Sequence, residues 1–319
     1  MFGKKKKLIT YTLPRKYLSI GVCEKMLESP HILIGGTTGA GKSVLIENLI
    51  YTIMAKYTPF DARFFFIDPK RVTFTKYRHL PFTEQIETEN GAILQLLREL
   101  IETMENRYER MRRDGLTQYD GKHIFIIIDE IADLMTTCKK EITPIIQRIA
   151  QLGRASNIHL IVATQCPNRK IIPAELTVNF GGRVALRCLN RIESRQLINR
   201  NGAETLPQYG RCLYLHCDGQ YYAGEIPYMP ERINEMIDYW MSQGNNDDYF
   251  VSYSMNESRT RNGFSILGAL HEILLGGGIF IAPKEKTATH GAQYNGTPRK
   301  KQKSDDFEIL NKLSIIDDD

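Results

Sequence analysis

Continuous apolar runs alternate with amphipathic stretches along the first 240 residues of this chain. "HILI" (His31 to Ile34) is followed by a small-residue loop and a segment with helical spacing to about Tyr57. "ARFFFIDPKR", "KHIFIIIDE", "NIHLIVATQ" and "GRVALRCL" are further apolar runs of strand length. Runs this continuous predict strands covered on both faces. In "NGAILQLLRELIETMENRYERMRRDG" the apolar residues Ile93, Leu97, Leu100, Met104, Tyr108 and Met111 step by three or four. That spacing predicts one long amphipathic helix, stopped by Asp114-Gly115. "ITPIIQRIAQLGRAS" reads as a helix with Pro144 near its first turn, and "NRIESRQLINR" as another. "RCLYLHCDGQYYAGEI" reads as a hairpin turning at Asp218-Gly219. Strands alternating with helices predict an α/β fold, with a mainly parallel central sheet flanked by helices and a C-terminal hairpin.

The pattern changes after about residue 243. Four regions are expected: a basic segment over 1–24, the α/β domain over 25–242, a linker with a short apolar segment over 243–283, and a charged, disordered tail over 284–319. The apolar segment "FSILGALHEILLGGGIFIAP" carries His271 and Glu272 near its middle. A carboxylate at bilayer depth costs at least about 2.5 kcal/mol, so this segment is expected to dock on protein rather than span a membrane. The start "MFGKKKKLITYTL" lacks the apolar core of a secretion signal. Six scattered cysteines include no pair suited to a zinc ribbon, and the odd separation of Cys212 and Cys217 puts them on opposite strand faces. Reduced thiols and a cytoplasmic location are expected. The formal net charge of +5 permits nucleic-acid contact without arguing for it.

The chemistry is concentrated in "GGTTGAGKS". Gly36, Thr37, Thr38, Gly39, Ala40, Gly41, Lys42 and Ser43 fit the phosphate-loop pattern. The glycines let backbone N–H groups turn onto phosphates, Lys42 reaches the outer phosphates, and the Ser43 hydroxyl suits Mg²⁺. The following helix aims its N-terminal dipole at the same anion. ATP and Mg²⁺ are therefore the expected cofactors. Asp129, ending its strand, is the expected second metal contact, and Glu130 beside it is the candidate base for an attacking water. Thr164 and Gln165 end the next strand, where a polar side chain can sense the outermost phosphate or simply finish a strand. Arg148 and Arg154 are candidates for an arginine acting on a neighbouring subunit's site, or are solvated surface charges.

"SPHILIGGTTGAGKSV", "FFFIDPKR", "MENRYERM", "FIIIDEIADLM", "RIAQLGRASNIHLIVATQCP" and "RIESRQLINRNGAETLPQYGRCLY" resemble, in that order, the motor domain of the FtsK/SpoIIIE DNA translocases. The likeness spans roughly residues 25–225. It implies a RecA-like ATPase that assembles as a ring, usually a hexamer, and pumps double-stranded DNA. It also strengthens Gln165 as a sensor and Arg148 or Arg154 as the residue reaching the next subunit. Cys166 stands where the family often has arginine, and no winged-helix pattern follows residue 230. With no membrane span expected, the resemblance points to the transfer ATPase of a mobile element. In such a ring, Lys139 and Lys140 after the Asp129 strand, and Arg169 and Lys170 after the Gln165 strand, would meet DNA phosphates. Both pairs equally suit ordinary surface positions. Single-stranded DNA as cargo in conjugation, protein cargo in type VII secretion, and a slow-ATPase adaptor whose partner meets the charged tail are the alternatives.

Overall fold

In the computed structural model, residues 21–244 and 314–315 are described. The expectations for the basic start, the apolar linker segment and nearly all of the charged tail lie outside these residues. The elements run α1 (Gly21–Leu27), β1 (His31–Gly35), α2 (Lys42–Lys56), β2 (Ala62–Ile67), β3 (Thr83–Glu87), α3 (Asn90–Asp114), β4 (His123–Ile128), α4 (Ile131–Thr137), α5 (Lys139–Leu152), β5 (Ile158–Thr164), α6 (Ala174–Thr177), β6 (Gly182–Ala185), α7 (Arg191–Ile198), β7 (Arg211–Leu215), β8 (Tyr221–Glu225), α8 (Pro230–Gly244) and β9 (Ser314–Ile315). One sheet takes the order β3-β2-β4-β5-β1-β6-β7-β8-β9. Strands β3 to β6 pair in parallel, and β7 to β9 complete the sheet antiparallel.

Strands β1, β4 and β5 are buried along nearly their whole length, as their unbroken apolar runs require. Helix α3 turns Ile93, Leu97, Leu100 and Met104 into the core it shares with β4, β5 and α5, and Met111 is buried as well. It ends at Gly115, whose φ of 69° is the left-handed conformation of a helix cap. At the start of α7, Asn190 accepts the Glu193 N–H, and Glu193 in turn accepts the Leu189 N–H.

Three placements differ from the sequence reading. Strand β3 was not expected: "TEQIE" has no apolar run because it lies at the sheet edge with its residues half-exposed. Helix α5 begins at Lys139, so Pro144 lies in its second turn rather than its first, and Lys139 and Lys140 open a helix rather than line a loop. Helix α8, which the sequence reading did not single out, packs against α2, with Trp240 buried and set edge-on against Phe82 at 5.2 Å between ring centroids.

At the N-terminal edge of the sheet, three adjacent strands bring histidines together. His123 and His159 face each other with ring nitrogens 3.0 Å apart, and the main-chain N–H of Leu160 donates to His31 Nδ1 at 3.1 Å. Tyr57 and Phe125 pack on the same rings. Burial pulls His31 and His123 down to about 4 and His159 to about 3, with neighbouring positive charges adding to the effect at His123 and His159. All three lie below the ordinary value near 6.5, so the folded chain binds fewer protons than the unfolded chain across that interval. Stability is expected to be level above about pH 6.5 and to fall as pH drops toward 4, by up to about 1.4 kcal/mol per pH unit for each histidine. Urea unfolding from pH 7.5 to 4.5 measures this slope. His123→Phe should reduce it, and an unchanged slope would remove these rings from the acid response.

Candidate functional site

The loop between β1 and α2 is held from both sides by main-chain bonds. Gly36 N–H donates to Thr164 O at the end of β5, and Thr37 N–H donates to Arg187 O just beyond β6, at 2.8 Å. Gly39 and Gly41 have φ of 75° and 94°, which residues with a Cβ rarely adopt. These two turns bring the chain into α2 directly behind the loop. Lys42, only 7% exposed, donates to Gly36 O and Thr37 O, each at 2.7 Å. Burial pulls its ammonium below the ordinary lysine value, while the Glu130 and Asp129 carboxylates oppose that change. Ser43 is exposed in the first turn of α2. Ala40 is buried and its N–H closes the turn on Thr37 O.

Asp129 and Glu130 follow β4, next to β5 in the sheet. Asp129 Oδ2 accepts the Thr73 hydroxyl at 2.8 Å. Burial pushes this carboxyl above the usual aspartate value, with the Thr73 bond opposing. Glu130 is 3% exposed and does two structural jobs. It caps α4 by accepting the Ala132 N–H, and both its oxygens accept the Gln165 N–H, at 3.2 and 3.0 Å. Gln165 Oε1 in turn accepts the Thr38 hydroxyl at 2.7 Å. A continuous chain of bonds thus runs from the phosphate loop through Gln165 to Glu130.

The sequence reading missed three residues here. Asp68, Lys70 and Thr73 follow β2, the strand beside β4. Lys70 Nζ stands 3.7 Å from Glu130 Oε2. Asp68 Oδ2 accepts the Thr73 and Phe74 N–H groups, and its Oδ1 is buried without a partner. The signal was present in "IDPKR", where a charged cluster ends a buried strand, but which strand neighbours the Asp129 strand is a matter of sheet order. Asp68, Asp129, Thr73 and Ser43 supply hard oxygen donors, and the orphaned Asp68 oxygen marks the pocket as suited to a cation. This donor set fits Mg²⁺, which keeps several waters and takes few protein ligands.

Other expected residues lie elsewhere. Arg148 on α5 is exposed and pairs with Glu105 at 2.8 Å, and Arg154 is exposed just past that helix, at the opposite edge of the sheet from the phosphate loop. Neither is brought to the site of its own chain. Lys139 Nζ donates to Lys170 O at 2.7 Å, so the two basic pairs, Lys139-Lys140 and Arg169-Lys170, lie together although each follows a different strand. Lys140, Arg169 and Lys170 are exposed. All six cysteines are free; Cys212 is buried on β7, and Cys217 is exposed in the turn beyond that strand rather than on its opposite face.

Comparison with known proteins places this arrangement. The model of the FtsK/SpoIIIE family matches residues 2–123 and 118–169. The DNA translocase FtsK of Chlorobaculum tepidum is 35% identical over 213 residues, which cover 60% of this chain and 26% of that protein. The DNA translocase FtsK of Rickettsia typhi is 28% identical over 304 residues, 82% of this chain and 41% of the relative. The chain therefore spans less than half the length of these relatives. Among solved structures, the pCW3 conjugation coupling protein TcpA, in a monomer form with ATPγS, aligns with a TM-score of 0.53 at 26% identity, over 58% of this chain and 57% of that one. The cytoplasmic domain of the Thermomonospora curvata type VII secretion ATPase EccC shares the fold, with a TM-score of 0.57 at 23% identity over 67% of this chain and 28% of that one.

Asp68 offers a direct test of how the site is supported. Asp68→Ala is expected to lower unfolding free energy by about 1–3 kcal/mol, because the N–H groups of Thr73 and Phe74 lose their acceptor. Urea unfolding reads the change. A loss below about 0.5 kcal/mol would show that the loop after β2 is held by other means.

Proposed function

The chain belongs to the FtsK/SpoIIIE family, and from that premise we propose that it is the ATP-hydrolysing motor of a DNA translocase. The observation that carries the reading is the chain of bonds Thr38–Gln165–Glu130, which ties the phosphate loop to the candidate base through the end of β5. The loop N–H groups and Lys42 bind the phosphates, and Lys42 exchanges its carbonyl partners for phosphate oxygens. Ser43 and Asp129 would hold Mg²⁺, with the Asp68 carboxylate adding negative charge near Asp129. Mg²⁺, when bound, neutralises charge on the phosphate oxygens. Glu130 orients the attacking water and accepts its proton, using lone pairs not committed to the Gln165 N–H. Gln165 reads the outermost phosphate by trading its Thr38 bond for one to that group, and the segment carrying Arg169 and Lys170 follows it directly in sequence.

Arg148 and Arg154 stand away from this chain's own site, which suits an arginine acting on a neighbouring copy in a ring, taken here as a hexamer. An arginine in that role contributes roughly 10³–10⁵ in rate. The adjacent basic pairs Lys139-Lys140 and Arg169-Lys170 form one surface for DNA phosphates. The relatives' name as DNA translocases supports DNA as the cargo, and double-stranded DNA is the favoured form within this proposal. The likeness to a conjugation coupling protein favours a role in transfer of a mobile element, with single-stranded DNA as the second reading. Among the described residues no helix is long and apolar enough to cross a membrane. A cytoplasmic location is part of the proposal.

The test is steady-state ATPase rate without DNA, with linear duplex and with single strand. Duplex is expected to stimulate, and Glu130→Gln to bind ATP normally while losing at least about 10² in turnover. Stimulation by single strand alone would replace the duplex pump with a coupling motor, and stimulation by neither would overturn the translocase reading. Arg148→Ala mixed with Lys42→Ala is expected to recover activity that each lacks alone. No recovery, with the same result for Arg154→Ala, would remove both arginines from the neighbour's site.

A further inference from the structure

A second concentration of positive charge lies away from the phosphate loop. A cavity of about 140 Å³ opens between α6, β6, α7 and the segment after β5, with Arg169, Arg183 and Arg195 among its lining. Gln196 and Asn199 line it too, and no acidic residue does. Among the described residues none of the three guanidinium groups pairs with a carboxylate. Arg183 makes one side-chain hydrogen bond, Nη1 to Asn199 Oδ1 at 3.3 Å, and its Nε is buried without a partner. Gln196 Oε1 is likewise buried and unpartnered. Burial pulls the Arg183 guanidinium below the ordinary arginine value, so the fold holds a desolvated cation with no counter-charge. Such a group is costly unless something negative completes it.

The three arginines arrive from different parts of the chain. Arg183 lies on β6, in register with Leu33 of the central strand. Arg195, Gln196 and Asn199 come from α7 and its C-terminal cap, and Arg169 from beyond Gln165. Planar guanidinium forks match the oxygens of a phosphate group in pairs, and arginines from three separate elements line this one cavity. A cavity of this volume has room for one tetrahedral oxyanion. The Gln196 amide, turned about its terminal bond, offers an N–H₂ donor to the same oxygens.

We infer that this cavity is an oxyanion site that takes a single phosphate group, held by Arg169, Arg183 and Arg195. The group comes either from a nucleic-acid backbone or from free phosphate, and the chemistry of the cavity is the same for both. The site does not depend on the ATPase reading; it shares Arg169 with the surface proposed for DNA, so Arg183 and Arg195 are the residues that distinguish the two.

The experiment is done in Lys42→Ala protein, so that the phosphate loop contributes least. Inorganic phosphate is titrated by calorimetry, and labelled duplex by fluorescence anisotropy over a range of salt. Arg195→Gln and Arg169→Gln, both at exposed positions, are compared with the Lys42→Ala parent. Arg183→Gln is added only where circular dichroism shows a retained fold. At least tenfold weaker phosphate binding, with duplex binding unchanged, identifies free phosphate as the ligand. A duplex-binding salt slope reduced by about one in each variant identifies a backbone phosphate. Affinities for both ligands unchanged in Arg195→Gln and Arg169→Gln, or no binding of either ligand by the parent, would overturn the site.

Discussion

Two main-chain hydrogen bonds, from Gly36 N–H to the end of β5 and from Thr37 N–H to the chain just beyond β6, position the phosphate loop. They exist because β1 lies between β5 and β6, so the loop leaves the sheet with a neighbour on either side. A loop of small residues has little packing of its own and would otherwise be poorly defined. Gripped at its start by both neighbours and continued into α2, it becomes rigid without side chains. Gly36 belongs to the same constraint: a Cβ there would stand 2.8 Å from Leu186 Cβ, so the close approach of β6's continuation requires its absence.

Electrostatics then sort the strand ends. Lys42 is buried, and its burial is offset by two carbonyls and by the field of Glu130 and Asp129. Glu130 is more deeply buried still, yet it is satisfied by backbone N–H groups of two elements and by Lys70 nearby. Its capping of α4 and its grip on the end of β5 mean that one carboxylate links both segments leaving the sheet. These bonds join the phosphate loop to two strand ends, the connection that the proposed motor would need between nucleotide state and the surfaces that follow. The connection is a specific set of bonds, Thr38 to Gln165 to Glu130, rather than proximity alone.

The two ends of the sheet differ in kind. At the C-terminal end charges and phosphate-binding N–H groups converge. At the N-terminal end His31, His123 and His159 are held neutral by burial among aromatic rings. Charge is tolerated at one edge, where opposite charges face it; at the other, burial and the nearby Lys56 and Arg107 outweigh the Asp61 carboxylate at His123. The arginine cavity beneath α7 breaks this order, since it gathers like charges with no opposing group.

The sequence by itself determined the strands and helices whose pattern has a single reading. Unbroken apolar runs gave β1, β2, β4 and β5, three-and-four spacing gave α3, and the glycines with Lys42 and Ser43 located the phosphate loop. These are local signals, set by the period of the backbone and by the few residues that adopt positive φ. The ends of strands after apolar runs also located Asp129, Glu130 and Gln165. What only the tertiary structure decided depends on which strand lies beside which. The polar strand β3 has no apolar pattern because an edge needs none. Asp68, Lys70 and Thr73 join the site only because β2 pairs with β4, and Lys139 meets Lys170 only because β4 lies beside β5. The bonds that make Glu130 a link, and the convergence of Arg169, Arg183 and Arg195, come from segments separated along the chain. Sheet order is fixed by the sum of many packed contacts across the whole core, and no short window of sequence carries that sum.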